Sequence, residues 1–271
     1  MLKNDYKRIE LNTARNCLRY LIRLYDIKEL YFPYYICPAL RISAIKEGCK
    51  LRFYHIDLSF KPIVDFPQNA FILYPNYFGV CSNIVNDLEK EYTNLIVDNA
   101  HSFYSEAIGL ASFNSLRKFF PMLRDGALLY LKNFDDMELE IDRYDYELKG
   151  LSYKEFYENE KRLDTEPIKK ISQTTFKYFT NINFEKEKEI RLLKFNHWHN
   201  KLKKTNLLKI KLSDSCVPFC YPYLANEKKQ ADDLVLELNK QKIEVFRYWN
   251  NLPVSFQEKI FYTNLVAIPI N

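Results

Sequence analysis

The chain has 271 residues, 47% of them apolar, with 21 tyrosines and 20 phenylalanines, which supplies a large core and excludes an intrinsically disordered protein. The formal charge of +5 is spread over 28% charged residues, so no concentrated basic field points to nucleic acid. No run of about 18 apolar residues predicts a spanning helix, and MLKNDYKRIELN at the start has no apolar signal-peptide core. The expected location is the cytoplasm, with no membrane partner. The length predicts about two domains.

In chain order, residues 12–25 place Leu18, Leu21, Ile22 and Tyr25 at helical spacing behind Asn12 or Thr13 as N-cap. A strand is predicted over 29–35. A helix follows over 38–48, opening on Pro38 and stopping at Gly48. Strands are predicted over 50–57 and 70–77, a capped helix over 82–92, and strands over 94–100, 109–115 and 126–131. Strand and helix alternate with short loops, and several strands are apolar on both faces. That pattern predicts a mostly parallel α/β sheet flanked by helices.

Beyond residue 133 the run NFDDMELEIDRYDYE is acidic and reads as a surface excursion. Long helices are predicted over 151–164 and 184–204, where Lys201, Lys203 and Lys204 form a solvated face. The last third predicts a strand at LLKIKLS (207–213), a break at VPFCYPY (217–223), a helix at 226–241, and strands at 243–249 and 264–270. The expected division is a large domain over 1–165 and a smaller C-terminal α+β domain over 166–271.

Cys17, Cys37, Cys49, Cys81, Cys216 and Cys220 show no zinc spacing and read as free thiols. His197 and His199 are two apart on a predicted helix, so they face different directions and cannot chelate together. No metal site is expected.

The chemistry gathers at strand ends, where open α/β sheets bind ligands. Asp98 closes the predicted strand LIVD, and a carboxylate buried there needs a partner. His101 follows three residues later. Next, SFNSLRKFF (112–120) brings Ser112, Ser115, Arg117 and Lys118 into an apolar setting, which lowers a lysine pKa and favours Schiff-base chemistry. Serine hydroxyls suit a phosphate. A strand-end Asp and a lysine one strand later fit a pyridoxal phosphate pocket. Weaker candidates are Asn76, Tyr77 and Gly79 in YPNYFGV, and Tyr35 in YFPYYIC as a ring that stacks on the cofactor or as a plain core aromatic.

On these residues the sequence resembles the DegT/DnrJ/EryC1/StrS aminotransferases, fold-type I enzymes that use pyridoxal phosphate. VDNAHS (97–102) resembles the family's Asp-Ala-Ala-Gln/His segment, ASFNSLRKFF its Ser-Phe-x-x-x-Lys segment, and TARNCLRYLI (13–22) its Gly-Thr-x-Ala-Leu helix start. The resemblance implies Lys118 as the Schiff-base lysine, Asp98 on the pyridine nitrogen and His101 near the ring hydroxyl. It implies Ser112 and the helix start at Ala14 and Arg15 as phosphate ligands. It also implies an amino-acid donor, glutamate, a nucleotide-linked keto-sugar acceptor and a homodimer with shared sites. Ala14-Arg15 stands where the family has Gly-Thr, and the first glycine after the lysine is delayed to Gly126. These departures leave a non-catalytic binding or scaffold relative as the alternative. A pyridoxamine-dependent sugar dehydratase, with histidine in place of the lysine, is disfavoured by Lys118.

Overall fold

The computed structural model describes residues 5–132, 153–213, 216–250 and 252–271. Seven strands share one sheet: β1 (Tyr6–Leu11), β2 (Glu29–Pro33), β3 (Lys50–Tyr54), β4 (Ile72–Pro75), β5 (Leu95–Asn99), β6 (Ala111–Asn114) and β7 (Ala127–Lys132). Their order is β1-β7-β6-β5-β4-β2-β3. The pairings that link β6, β5, β4, β2 and β3 are parallel, and β7 and β1 extend one edge antiparallel. The sheet is therefore the mostly parallel α/β sheet that the alternating pattern predicts. Every residue of β4, β5 and β6 is buried, which is why LIVDN reads as a continuous apolar run up to its polar end.

Helices α1 (Ala14–Leu24), α2 (Pro38–Lys46) and α3 (Ser82–Glu91) connect the first strands. The hydroxyl of Thr13 accepts from Asn16 N and caps α1, whose apolar stripe of Cys17, Leu18, Leu21 and Ile22 is buried. One cluster of buried side chains lies between this stripe and Ile96, Ala111, Phe113 and Leu129 of the sheet, and a second lies on the other face around Tyr74, Leu95 and Val97. Gly109 leads into β6 at φ +75°, and a Cβ there would stand 2.5 Å from Leu95 O, so the turn requires glycine. The start of α3 differs from a capped one: Cys81 precedes it without a side-chain cap, and Asn76 Oδ1 takes the Cys81 N–H instead.

The later helices are α4 (Leu116–Phe119), α5 (Tyr153–Leu163), α6 (Gln173–Phe179), α7 (Phe184–Leu202), α8 (Lys228–Lys240) and α9 (Lys259–Asn264). Strands β8 (Cys220–Leu224) and β9 (Leu265–Pro269) form a separate antiparallel pair. They pack through Tyr221, Tyr223, Val266 and Ile268 on Phe195 and Trp198 of α7. The acidic stretch at 133–147 lies outside the described residues.

Three expectations for the last third are corrected. Residues 207–213 are not a strand. Leu208, Ile210 and Leu212 do turn inward while Leu207, Lys209 and Lys211 face out. Asn206 captures Leu208 N and Leu224 N with its Oδ1, so only Leu207 N reaches a strand carbonyl, at Leu224. Alternation reports an extended chain and not a pairing partner. Residues 243–249 make only an isolated bridge, Phe246 to Ala267, between left-handed turns at Lys242 and Trp249. Conversely, the predicted break at 217–223 contains most of β8. Pro222 is tolerated because β8 has a single partner and can leave its other edge unpaired. Strand β1 and helices α4, α6 and α9 lie outside the expected elements.

Candidate active site

The parallel strands aim their carboxyl ends at one side of the sheet, and Asp98 stands near the end of β5. Its partner across the ladder is Phe113, on the face covered by α1. Its Oδ1 accepts the Ala100 N–H at 2.8 Å, and it forms no salt bridge among the described residues. Burial raises the Asp98 carboxyl above its ordinary value, while Lys118 and the Ala100 N–H pull it back.

His101 lies in the turn after β5 and is 4% exposed. Phe219 covers one face of the imidazole at 4.6 Å with 8° between planes, and Trp249 stacks parallel to it at 5.8 Å and 4°. Phe78 approaches at 5.6 Å. Gly79 lets the chain pass here: a Cβ at its φ of +74° would stand 2.5 Å from His101 O and 3.1 Å from Pro218 Cα. Burial, and the charge of Lys118, push the imidazole well below its ordinary value, so it is neutral at pH 7.

Lys118 extends from α4 to within 2.9 Å of His101 Nε2. A protonated Nζ donates to the Nε2 lone pair, which places the imidazole proton on Nδ1. Burial lowers the amine from its ordinary value. Arg117 and Arg15 act in the same direction, and Cys37 and Asp98 oppose them. A lysine beside a neutral histidine and a carboxylate, at strand ends, is a nucleophilic amine held in place.

Two arginines extend this charge. Ala14 and Arg15 begin α1, where amides have no intrahelical acceptor. Arg15 and Arg117 both pair with Glu160 of α5, and Arg15 also pairs with Asp164. Arg117 is pushed down to about 10 by burial and by Arg15, against Asp125 and Cys37. Its Nε has no hydrogen-bond partner.

The structure thus brings Asp98, His101, Lys118 and Arg15 into one electrostatic neighbourhood, with Ala14 at the same helix start. It does not bring Ser112 and Tyr35 to it in their expected roles. Ser112 pairs with Val97, so strand alternation turns it to the face opposite Asp98; its Oγ is buried and unpartnered. Tyr35 is fully buried, with Tyr77, Phe261 and Trp249 against its ring, which leaves no free face for stacking. Asn76 is held by Cys81 N, Asn99 and Ser82. Trp249, Phe219, Phe78 and Cys37 belong to the site or its walls and were not legible: three of them are aromatic residues brought to His101 by the fold alone. Among the described residues no cluster of His, Cys, Asp or Glu could hold a metal. A cavity of about 510 Å³ between α3 and residues 207–211 contains none of the residues of this site.

The donor set fits a ligand that carries a phosphate, an aldehyde and a basic ring nitrogen. The unpaired Asp98 carboxylate suits a ring N–H, the Lys118 amine an aldehyde, and the orphaned Arg117 Nε an anion.

The chain has the fold of the fold-type I aminotransferases. It superposes on a DegT DnrJ EryC1 StrS aminotransferase from Brucella abortus with a TM-score of 0.62 at 13% identity, over 97% of this chain and 80% of that one. PseC of Helicobacter pylori, an aminotransferase involved in the biosynthesis of pseudoaminic acid, gives 0.60 at 17% identity over 99% and 81%. NtdA of Bacillus subtilis, with bound cofactor PMP, gives 0.63 at 13% identity over 97% and 68%. No protein-family profile matches the sequence, and no curated protein matches it. No described helix is long and apolar enough to cross a membrane.

Proposed function

We propose that this protein is a pyridoxal-phosphate-dependent aminotransferase that moves an amino group from glutamate to a nucleotide-linked keto-sugar, as a cytoplasmic homodimer. The observation that carries the reading is the Lys118 Nζ, 2.9 Å from His101 Nε2, at the strand ends beside the buried Asp98. The fold shared with sugar aminotransferases supports the substrate class.

When bound, the cofactor supplies an aldehyde and an electron sink. Lys118 would offer the amine that holds it and would carry the proton at the substrate carbon. Asp98 would favour the protonated form of a ring nitrogen, which would give a partner to the carboxyl that burial raises above its ordinary value. His101 holds Nζ in line and, being neutral, adds no positive charge beside it. Phe219 and Trp249 fix the imidazole plane and exclude water from it. With a boundary near residue 165, as proposed, these two rings would belong to the smaller domain and substrate would be held where the two parts meet.

The test is direct. The purified chain incubated with pyridoxal phosphate should develop a visible absorbance band and accept nitrogen from glutamate, and a panel of nucleotide-linked keto-sugars should identify the acceptor. Lys118→Ala should lose both. A second reading, a binding or scaffold relative without catalysis, is favoured by Glu160 occupying Arg15 and Arg117. A colourless protein that fails to take up the cofactor would select it.

A further inference from the structure

Arg15 and Arg117 come from different parts of the chain, one from the first turn of α1 and one from the residue before Lys118. Their side chains are only 11% and 10% exposed, and both meet Glu160. Two buried guanidinium groups that share one carboxylate carry like charge and repel each other. Such a pair persists only where an anion sits between them. In this structure that anion is a carboxylate of the chain itself. Glu160 is 29% exposed and Asp164, on the Arg15 side, is 60% exposed, so both have a path to water. α5 has an attachment that does not involve these acids: Asn159 Nδ2 donates to Arg124 O at 2.7 Å. The Arg117 Nε, nine-tenths buried, still lacks a partner.

We propose that Arg117 joins the α1 start, which the resemblance already implies for the cofactor phosphate, in holding that phosphate, and that Glu160 is a built-in competitor that releases both guanidinium groups when phosphate enters. The inference rests on the reading above that the ligand is a phosphorylated cofactor. The geometry supplies what an α1 start with Ala14-Arg15 lacks in glycine-loop amides: planar, forked donors that match phosphate oxygens. Charge decides the exchange. Glu160 and Asp164 already neutralise the two arginines. A phosphate monoester brings about −1.5 to −2 at pH 7, which exceeds what the pair can balance with both acids in place. Glu160 therefore swings toward solvent as phosphate binds, while Asn159 keeps α5 docked. The balance sets affinity: the resident carboxylate keeps the arginines folded in the cofactor-free chain and weakens every anion that follows.

Calorimetric binding of inorganic phosphate, pyridoxal phosphate and pyridoxal to the full chain tests this, with Glu160→Gln and Arg117→Gln compared with the parent. Glu160→Gln should bind both phosphorylated probes about fivefold or more tighter and pyridoxal within about twofold, as expected when a charged competitor becomes neutral. Arg117→Gln should weaken the phosphorylated probes about tenfold or more. Unchanged or weaker phosphate binding by Glu160→Gln, with thermal midpoint retained, overturns the competitor. An equal gain for pyridoxal overturns the assignment to phosphate. If Glu160→Gln loses its fold, Asp164→Asn replaces it and should tighten the phosphorylated probes in the same direction; no change there overturns the proposal. A parent chain that binds pyridoxal phosphate with an unaltered response in the variants refutes this inference alone. A parent that binds inorganic phosphate but no pyridoxal phosphate refutes the cofactor reading, and the subsite's assignment with it.

Discussion

Lys118 Nζ and His101 Nε2 stand 2.9 Å apart, and the histidine that makes this contact lies parallel to the rings of Phe219 and Trp249. The aromatic faces set the plane of the imidazole, and the plane sets where its lone pair points. Replacing His101 by Phe preserves the stacking and deletes the acceptor. The expected result is a retained fold with transfer slowed about 10- to 100-fold, the scale of one hydrogen bond to a charged group. His101→Gln restores an acceptor and should recover part of the rate. Steady-state kinetics alongside thermal unfolding separate this from a loss of packing.

Asp98 is a buried acid that works against the cofactor-free fold. Burial holds its pKa above the ordinary 3.8, so the folded chain gives up stability as the carboxylate ionises with rising pH. Asp98→Asn keeps an oxygen for Ala100 N and removes the charge. At pH 7 the variant should be more stable than the parent, while cofactor retention falls. Urea unfolding and visible absorbance should therefore move in opposite directions.

The pH dependence on the acid side has a definite sign. His101 titrates well below its ordinary 6.5 in the folded chain, so between those two values the unfolded chain binds more protons. Stability then rises with pH in that window and is lost as pH falls below about 6.5. Urea midpoints measured from about pH 8 to pH 5 should drop in the parent, with a smaller drop in His101→Phe.

Gly79 should be sensitive out of proportion to its size. Its φ of +74° already disfavours a side chain, and a Cβ would run into His101 O. Gly79→Ala should destabilise the chain by about 2 kcal/mol or more and disturb the imidazole. A thermal melt reads the first effect and the Lys118-dependent cofactor absorbance the second.

Much of this arrangement was legible in the sequence, for reasons that differ by residue. Asp98, His101 and Lys118 stood out because charge at the end of an apolar run needs a partner and parallel sheets gather such ends. Ser112 misled because spacing along the chain says nothing of sheet face; one step along β6 separates it from Phe113, on the Asp98 side. β1 was missed because YKRIEL is only partly buried at the sheet edge, so its apolar signal is diluted. Residues 207–213 carried true strand alternation without a strand, since Asn206 took the hydrogen bonds. Trp249 and Phe219 could not have been found by local pattern. They reach His101 only after the C-terminal part closes on the sheet.

That closure has an optical consequence. The chain has two tryptophans. Trp198 packs in the β8-β9 cluster on α7, while Trp249 lies flat against the imidazole that holds Lys118. Changes around the lysine therefore fall beside one of the two indoles. With Trp198→Phe in place, the emission of a single tryptophan would report ligand arrival in real time, without a coupled assay or a label.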